Sequence, residues 1–246
     1  MKDLLKITVT FPSTGRSAPW VDQATGFQAR DVETEIIKFI ETGDPEQIND
    51  LLGCAIKNFN SEYKGVAELT FYRGVELAKV EAKRFGPPPS GLQSSSRYNK
   101  SDNSDPGQRT LYTASSPQAV LCELKQDKCK MQEFKFVKEM KIADLTSSNS
   151  TLDDKLRVAF LFAERGKPLM SERDSLVDER RYVLSQWLAD QFRACHWDAL
   201  LVPGVQGNSD FQYNNLCVFH PKSDDWLIYT HIDSYEYPQA QEISSS

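Results

Sequence analysis

Clustered cysteine and histidine residues are missing from this chain. Its five cysteines include no C-x-x-C pair, and its three histidines are scattered without the spacing of metal ligands. An odd number of well-separated cysteines favours free, mostly buried thiols over a disulfide framework or a zinc site. We therefore expect no bound metal.

The chain also lacks an excess of positive charge and a long apolar run. Its 246 residues carry a formal net charge of −6, so its surface should repel nucleic acids and anionic membranes. No stretch approaches the roughly 18 apolar residues of a membrane span, and the N-terminus does not resemble a signal peptide. We expect a cytoplasmic protein, or one delivered to the cytoplasm of a target cell, with no nucleic-acid or membrane partner.

Hydrophobic residues make up 39% of the chain, which is enough for one well-buried core. Apolar residues recur at helical spacing over residues 32–40, and Gly43 ends that pattern. Asp44 and Pro45 are typical of the N-cap and first residue of a second helix. The two helices are predicted to form an amphipathic hairpin, which is more typical of a structural cap on the main sheet than of a partner-binding module. The expected domains are an N-terminal extension over residues 1–62, a main domain over residues 63–238 and a disordered tail over residues 239–246.

Strand and helix patterns alternate through the main domain, which predicts a mixed α/β fold. The expected strands are residues 68–75, 109–114, 134–144, 199–202, 216–219 and 226–230, with a further short strand at residues 7–11. The expected helices begin at Ser116 and Pro117, near residue 152 and near residue 179.

Two charged residues fall where apolar side chains are expected. Arg73 alternates with Leu69 and Phe71 along a strand, so it continues a row that faces the core. Glu123 lies on the apolar face of the helix that follows Ser116. A buried charge costs several kcal/mol unless a partner or a polar ligand compensates it. The alternatives are a binding site and a structural ion pair, and both would bring Glu123 together with arginines.

A polar connection over residues 85–108 separates the first two main-domain strands. It is rich in Gly, Pro and Ser, and it contains Arg97, Tyr98 and Asn99. Connections longer than 20 residues are uncommon inside compact domains and tend to be lids, binding loops or disordered insertions. The embedded arginine and tyrosine favour a binding loop.

With these residues in hand, the chain resembles the RES family, whose members are mostly bacterial toxins that degrade NAD. The resemblance extends over residues 69–219 and depends on motifs that are loose individually but share their order and spacing with the family. These motifs are Tyr72-Arg73-Gly74, Ser96-Arg97-Tyr98-Asn99, Leu111-Tyr112-Thr113-Ala114 with Ala119 to Glu123, Ile142 to Thr146, Ala199 to Pro203, and Asn215 to Phe219.

The resemblance implies a fold like that of ADP-ribosyltransferases, in which a split β-sheet surrounds an NAD cleft. By matching position, Arg73 is the family arginine and Glu123 the family glutamate. The family serine is expected just after the strand at residues 199–202, where this chain has Gly204. Ser209 and Asn215 are the candidates for a substitute polar group.

The chemistry of NAD cleavage suits these residue types. A carboxylate such as Glu123 can bind ribose hydroxyls and stabilise the cation that develops on the ribose. Arginines can bind the pyrophosphate through paired hydrogen bonds, and tyrosines can stack against the nicotinamide or its ribose. The residues expected to bind NAD are Arg73, Arg84, Arg97, Tyr98, Asn99, Tyr112, Glu123 and Asn215.

NAD would be the substrate, with no separate cofactor, and water, inorganic phosphate or a protein side chain would be the acceptor. The leading expectation is therefore a toxin that acts as an NAD glycohydrolase or NAD phosphorylase and has an antitoxin or immunity protein as partner. The alternatives are a mono-ADP-ribosyltransferase acting on a protein, an NAD-binding module impaired by Gly204, and a structural interaction domain built on the helical hairpin.

Overall fold

The computed structural model describes residues 26–60, 62–63, 70–76, 97–98, 110–137, 139–146, 152–165, 182–204, 213–220 and 226–236. These residues form a mixed α/β fold, as predicted. The strand predicted at residues 7–11 and most of the polar connection at 85–108 lie outside the described residues. None of the helices in the described part of the chain combines the length and apolarity that a membrane crossing requires.

The helices begin and end close to the predicted signals. They are α1 (Gly26–Thr42), α2 (Pro45–Ile48), a π-helical turn (Asn49–Gly53), α3 (Cys54–Lys57), α4 (Pro117–Leu124), α5 (Asp154–Arg165) and α6 (Val183–Ala194). Gly43 ends α1 with φ +74°, a left-handed conformation that glycine adopts without a steric penalty. The Asp44 side chain then accepts a hydrogen bond of 3.0 Å from the Glu46 backbone N–H, which confirms the predicted N-cap.

The described residues contain eight strands, which form one sheet. They are β1 (Glu62–Tyr63), β2 (Thr70–Glu76), β3 (Thr110–Ala114), β4 (Lys128–Phe136), β5 (Ile142–Asp144), β6 (Ala199–Pro203), β7 (Asn214–Phe219) and β8 (Trp226–Glu236). Their order across the sheet is β1-β5-β6-β7-β3-β2-β4-β8. The pair β5 and β6 is parallel, and the other neighbours are antiparallel.

The sheet is split between β2 and β3. These two strands are joined by a single aligned pair, Tyr72 opposite Ala114. By contrast, β2 pairs with β4 from Thr70 to Glu76, and β3 pairs with β7 along its whole length. The strands β1, β5, β6, β7 and β3 therefore form one half of the sheet, and β2, β4 and β8 form the other.

The single strand predicted over residues 134–144 is wrong. Phe134 lies in β4 opposite Phe71, whereas Ile142 lies in β5 opposite Ala199, in the other half of the sheet. Between the two strands the chain reaches the surface, where Val137 is 47% exposed. The alternation of apolar residues continues across this break because both strands bury one face, so periodicity alone does not show it.

Buried side chains pack on both faces of the sheet. The largest cluster lies between the sheet and the helices, and α1 packs mainly against α5, with smaller contacts to α2 and α6. Leu200 and Val202 belong to this cluster, whereas Ala199 and Leu201 belong to a second cluster on the other face. The helical hairpin thus shares a core with the main domain, and the division of the chain into an extension and a domain stays a prediction.

The five cysteines are all free, but fewer of them are buried than expected. Cys129 and Cys217 are buried, Cys122 and Cys195 are half-buried, and Cys54 is exposed. In the described ranges no group of three or more His, Cys, Asp or Glu side chains is arranged to hold a metal ion.

Candidate functional site

Helix α4 sits directly on strand β2 at the split in the sheet. The Ser116 side chain accepts a hydrogen bond of 3.1 Å from the Ala119 backbone N–H, which fixes the start of the helix as predicted. At Gly74 the helix comes so close that a Cβ atom would overlap the Val120 side chain. Glycine at this position therefore allows α4 to lie against β2, which brings Glu123 near Arg73.

A cavity of about 170 Å³ lies where the two halves of the sheet separate. Its lining comes from β2, β3 and α4: Tyr72, Arg73, Gly74, Tyr112, Thr113, Ala114, Val120, Glu123 and Leu124. Successive side chains of a strand point to opposite faces of a sheet. A cavity lined by consecutive residues of two strands therefore lies in the gap between them rather than on one face.

The Glu123 carboxylate is held by two hydrogen bonds from the far half of the sheet. The Tyr213 hydroxyl donates to Oε1 at 2.8 Å, and the Asn215 side-chain amide donates to the same oxygen at 2.7 Å. Among the described residues no hydrogen-bond donor reaches Oε2. One oxygen of the carboxylate is thus fixed by the protein, and the other is left for a ligand. The arginine ion pair considered for Glu123 as a structural alternative is not formed by the described residues.

Asn215 connects Glu123 to Tyr112. Its amide nitrogen donates to the Tyr112 hydroxyl at 2.6 Å as well as to Glu123. Because an ionised carboxylate only accepts hydrogen bonds, this amide must turn its nitrogen toward Glu123. Its oxygen Oδ1 is buried and has no hydrogen-bond partner. Such an unsatisfied polar atom costs about 1–3 kcal/mol, so the orientation of Asn215 is maintained at the expense of stability.

Arg73 brings a positive charge into the cavity. Burial lowers the pKa of Arg73 to about 10, so the guanidinium is still protonated at neutral pH. Arg73 and Glu123 line the same cavity, yet their charged atoms are more than 4.0 Å apart and form no ion pair. Within the described residues Arg73 makes no other ion pair or hydrogen bond. None of the described residues therefore compensates its charge.

Arg97, Tyr98 and Tyr112 form a small group behind the cavity. The Arg97 guanidinium donates to the Tyr112 hydroxyl at 3.4 Å, and the Tyr98 ring stacks on the Tyr112 ring at 6.1 Å between centroids. Only 1% of the Tyr98 surface is exposed and Tyr98 does not line the cavity, so its contact with a ligand stays a prediction. Tyr98 instead supports Tyr112, which does line the cavity.

Helix α6 holds the Tyr98 segment in place through Arg193. The Arg193 guanidinium donates to the Tyr98 carbonyl at 2.7 Å and to the Thr110 hydroxyl at 2.8 Å. It also pairs with Asp190 at 2.9 Å and lies over the Phe219 ring. Arg193 therefore fixes the backbone that leads to the site, although it does not line the cavity.

The predicted residues Arg84, Asn99 and Ser209 lie outside the described residues. Sequence reasoning placed Gly204 at the site but missed Tyr213, which contacts both Gly204 and Glu123. Tyr213 stands two positions before Asn215, and residues at that spacing on a strand face the same side of the sheet. This spacing is the signal in the sequence that could have identified Tyr213 as a site residue.

Cys122 adjoins Glu123 but is not a suitable nucleophile. Burial and the neighbouring Glu123 charge both raise the pKa of the Cys122 thiol. A thiol with a raised pKa is protonated at neutral pH, and the thiolate is the reactive form. The chemistry of the site therefore rests on the carboxylate and the guanidinium.

A second and larger cavity of about 370 Å³ lies between the N-terminal helices and the start of α5. Its lining includes Asp50, Cys54, Asn58, Asp153 and Lys155. Its lining contains no arginine, and the Asp153 carboxylate in it accepts a hydrogen bond of 2.8 Å from the Lys155 backbone N–H. The smaller cavity is therefore the better candidate for a catalytic site.

The chain matches one family model and one solved structure. The RES domain family model matches residues 71–239, which is more than half of the chain and includes Arg73, Glu123 and Asn215. No curated protein matches the chain significantly. Among solved structures, the crystal structure of the M. tuberculosis MbcT–MbcA toxin–antitoxin complex matches with 14% sequence identity and a TM-score of 0.47, over 75% of this chain and 92% of that chain.

Proposed function

Since the chain belongs to the RES domain family, we propose that it cleaves the bond between nicotinamide and ribose in NAD. The observation that carries this proposal is the pairing of opposite charges in one cavity without an ion pair between them. Neither the Arg73 guanidinium nor Oε2 of Glu123 has a partner among the described residues. A ligand with a phosphate anion at one end and a positively charged sugar centre at the other would satisfy both.

The reaction asks the protein mainly to hold charge. When the C–N glycosidic bond breaks, its electron pair leaves with nicotinamide, which departs as a neutral base. The ribose carbon is left as an oxocarbenium-like centre, and the ionised Glu123 carboxylate stabilises it from Oε2. Water or inorganic phosphate then forms the new bond to this carbon. With water the attacking molecule also loses a proton to solvent.

Arg73 would bind the pyrophosphate. An arginine presents a planar set of N–H donors that matches two phosphate oxygens, and it remains charged at neutral pH. A phosphate anion beside the guanidinium would stabilise its positive charge and offset the cost of burying that charge. The Tyr112 ring, fixed by Tyr98, Arg97 and Asn215, would pack against the nicotinamide or its ribose.

The cavity has the size of part of a dinucleotide. Its volume of about 170 Å³ is smaller than the roughly 300–1,000 Å³ of sites that enclose a whole drug-sized ligand. It therefore suits the nicotinamide and its ribose, and the adenosine half would extend beyond the residues that line it.

An enzyme of this activity would deplete NAD in the cell that makes it. We accordingly propose that the protein is a toxin of the cytoplasm, either of its own cell or of a target cell, and that an antitoxin or immunity protein neutralises it. Expression of the active protein without such a partner should lower cellular NAD and stop growth.

The test is to incubate the purified protein with NAD and resolve the products. Nicotinamide with ADP-ribose indicates a glycohydrolase, and a phosphorylated ADP-ribose formed only with added phosphate indicates a phosphorylase. Label transferred from NAD to an added protein would indicate a mono-ADP-ribosyltransferase instead. Unchanged NAD at high protein concentration would contradict the proposed activity and favour a binding module impaired by the absence of a side chain at Gly204.

A further inference from the structure

Gly204 and Tyr213 form a matched pair at the edge of the site. Gly204 follows strand β6, and its backbone N–H donates to the Tyr213 carbonyl at 2.8 Å. A Cβ atom at Gly204 would fall among the ring carbons of Tyr213, closer than real Cβ contacts. The Tyr213 ring therefore occupies the space into which a side chain at position 204 would project. A serine there, as the family pattern has it, would not fit beside this tyrosine.

The hydroxyl at the far end of the same ring bonds to the catalytic carboxylate. Tyr213 is 6% exposed, and its hydroxyl donates to Oε1 of Glu123 at 2.8 Å. The ring is held against Gly204, so the hydroxyl has little freedom to move away from Glu123. Gly204 therefore leaves room for the ring of Tyr213, nine positions later, and that ring places its hydroxyl on Oε1 of Glu123.

We propose that Tyr213 is a positioning residue that replaces the missing side chain at Gly204 and fixes the Glu123 carboxylate for NAD cleavage. This inference rests on the proposed function. By donating to Oε1 together with Asn215, Tyr213 prevents rotation of the carboxylate and directs Oε2 toward the ligand. Tyr213 does not line the cavity, so it acts through Glu123 rather than on the substrate.

The proposed role depends on the Tyr213 hydroxyl, whereas the Tyr213 ring contributes packing. Removal of the ring would open a space beside Gly204 and disturb packing, which would not distinguish positioning from structure. Tyr213→Phe keeps the ring against Gly204 and removes only the hydrogen bond. A hydrogen bond to a charged group contributes enough that its loss should lower kcat roughly 10- to 100-fold. KM should stay within about twofold, because substrate contacts are unchanged.

The experiment measures NAD cleavage by four proteins: wild type, Tyr213→Phe, Glu123→Gln and the double variant. If Tyr213 acts through Glu123, its substitution should have little further effect once the carboxylate is gone, so the double variant should match Glu123→Gln within about twofold. Tyr182→Phe, which removes a tyrosine hydroxyl at the start of α6, serves as the control and should retain wild-type kcat. Thermal unfolding of each variant reports whether the fold is intact.

Each outcome bears on the inference. The inference is supported if Tyr213→Phe lowers kcat in the wild-type protein but has no further effect when it is added to Glu123→Gln. A Tyr213→Phe variant with wild-type kcat would overturn it, and so would an equal loss in the presence and absence of the carboxylate, since that pattern indicates a general structural effect. Wild-type protein that leaves NAD intact would overturn the proposed function and this inference with it, whereas active wild type with active Tyr213→Phe overturns the inference alone.

Discussion

Replacement of Arg73 by methionine should stabilise the ligand-free protein and abolish its response to the ligand. Methionine has a similar length, is flexible and carries no charge, so it can fill the same space beside β3 and α4. The guanidinium makes no ion pair or hydrogen bond with the described residues. Its removal therefore leaves no partner unsatisfied, unlike the removal of one member of a buried ion pair.

The magnitude follows from the shift in the Arg73 pKa. The fall of the Arg73 pKa to about 10 corresponds to about 3 kcal/mol, at about 1.36 kcal/mol for each pKa unit. Solvent in the cavity reduces this cost, and we expect a gain of about 2 kcal/mol, or about 4–8 °C in Tm for a chain of this size. The folded pKa lies below the unfolded value, so the cost is fully present below about pH 10 and declines only as pH rises above that value. The gain should accordingly be constant between about pH 6 and pH 9.

The assay is thermal unfolding followed by circular dichroism, with and without ADP-ribose. ADP-ribose keeps the pyrophosphate but has no nicotinamide bond to cleave, so it remains intact during the measurement. A ligand at about 100 times its Kd stabilises a protein by about 2.7 kcal/mol. Wild type should therefore gain several degrees in Tm with ADP-ribose, and Arg73→Met should gain little.

Arg157→Met is the matched control. Arg157 is also partly buried, but it pairs with Asp154 at 3.6 Å and donates to the Leu152 carbonyl at 3.2 Å. Its replacement should not raise Tm and should leave the effect of ADP-ribose unchanged. An Arg73→Met protein that is less stable than wild type, and that ADP-ribose still stabilises fully, would refute the view that this charge is uncompensated and binds phosphate.

Three further substitutions test other parts of the site. Glu123→Gln should lower kcat for NAD cleavage by about two to three orders of magnitude, the scale for losing one preorganised transition-state contact, and wild-type turnover would remove Glu123 from the mechanism. Gly74→Ala should force α4 away from β2 at Val120, lowering stability by about 1–3 kcal/mol in a denaturant titration and lowering activity, whereas a neutral effect would show that the helix can shift freely. Arg193→Ala should remove the ion pair to Asp190 and the hydrogen bonds to the Tyr98 carbonyl and the Thr110 hydroxyl, and cost about 3 kcal/mol, seen as a Tm about 6–12 °C lower; an unchanged Tm would contradict its anchoring role.

Local signals in the sequence predicted the helix starts of this protein well. Asp44 with Pro45 and Ser116 with Pro117 are adjacent residues whose capping geometry depends on the next few positions of the chain, and both caps are present. The unusual placement of charge along β2 and α4 also led to Arg73 and Glu123, which line one cavity. A charge at a core position is an informative signal because its cost requires a compensating partner or ligand.

Contacts between distant segments could not be predicted in the same way. The break between Phe134 and Ile142 depends on which strand each residue pairs with, and the two partners lie in different halves of the sheet. Tyr213 is 90 positions from Glu123 in the sequence, so no local pattern connects them. Tyrosine is a residue type that often contacts ligands, but the position of Tyr98 against Tyr112 depends on Arg193, nearly a hundred residues away.

Two hydrogen bonds hold the Glu123 carboxylate toward the half of the sheet that does not carry Arg73. Glu123 is tied to Tyr213 and Asn215 in the half that contains β7, whereas Arg73 is carried by β2 in the other half. If the two charges could approach freely, they would form an ion pair and leave neither group for a ligand. Anchoring of the carboxylate across the gap prevents that collapse, and the unsatisfied Oδ1 of Asn215 is part of its cost. A ligand that bridges the gap would therefore recover stabilisation at both ends, which makes the separation of the charges, rather than their proximity, the feature that favours binding.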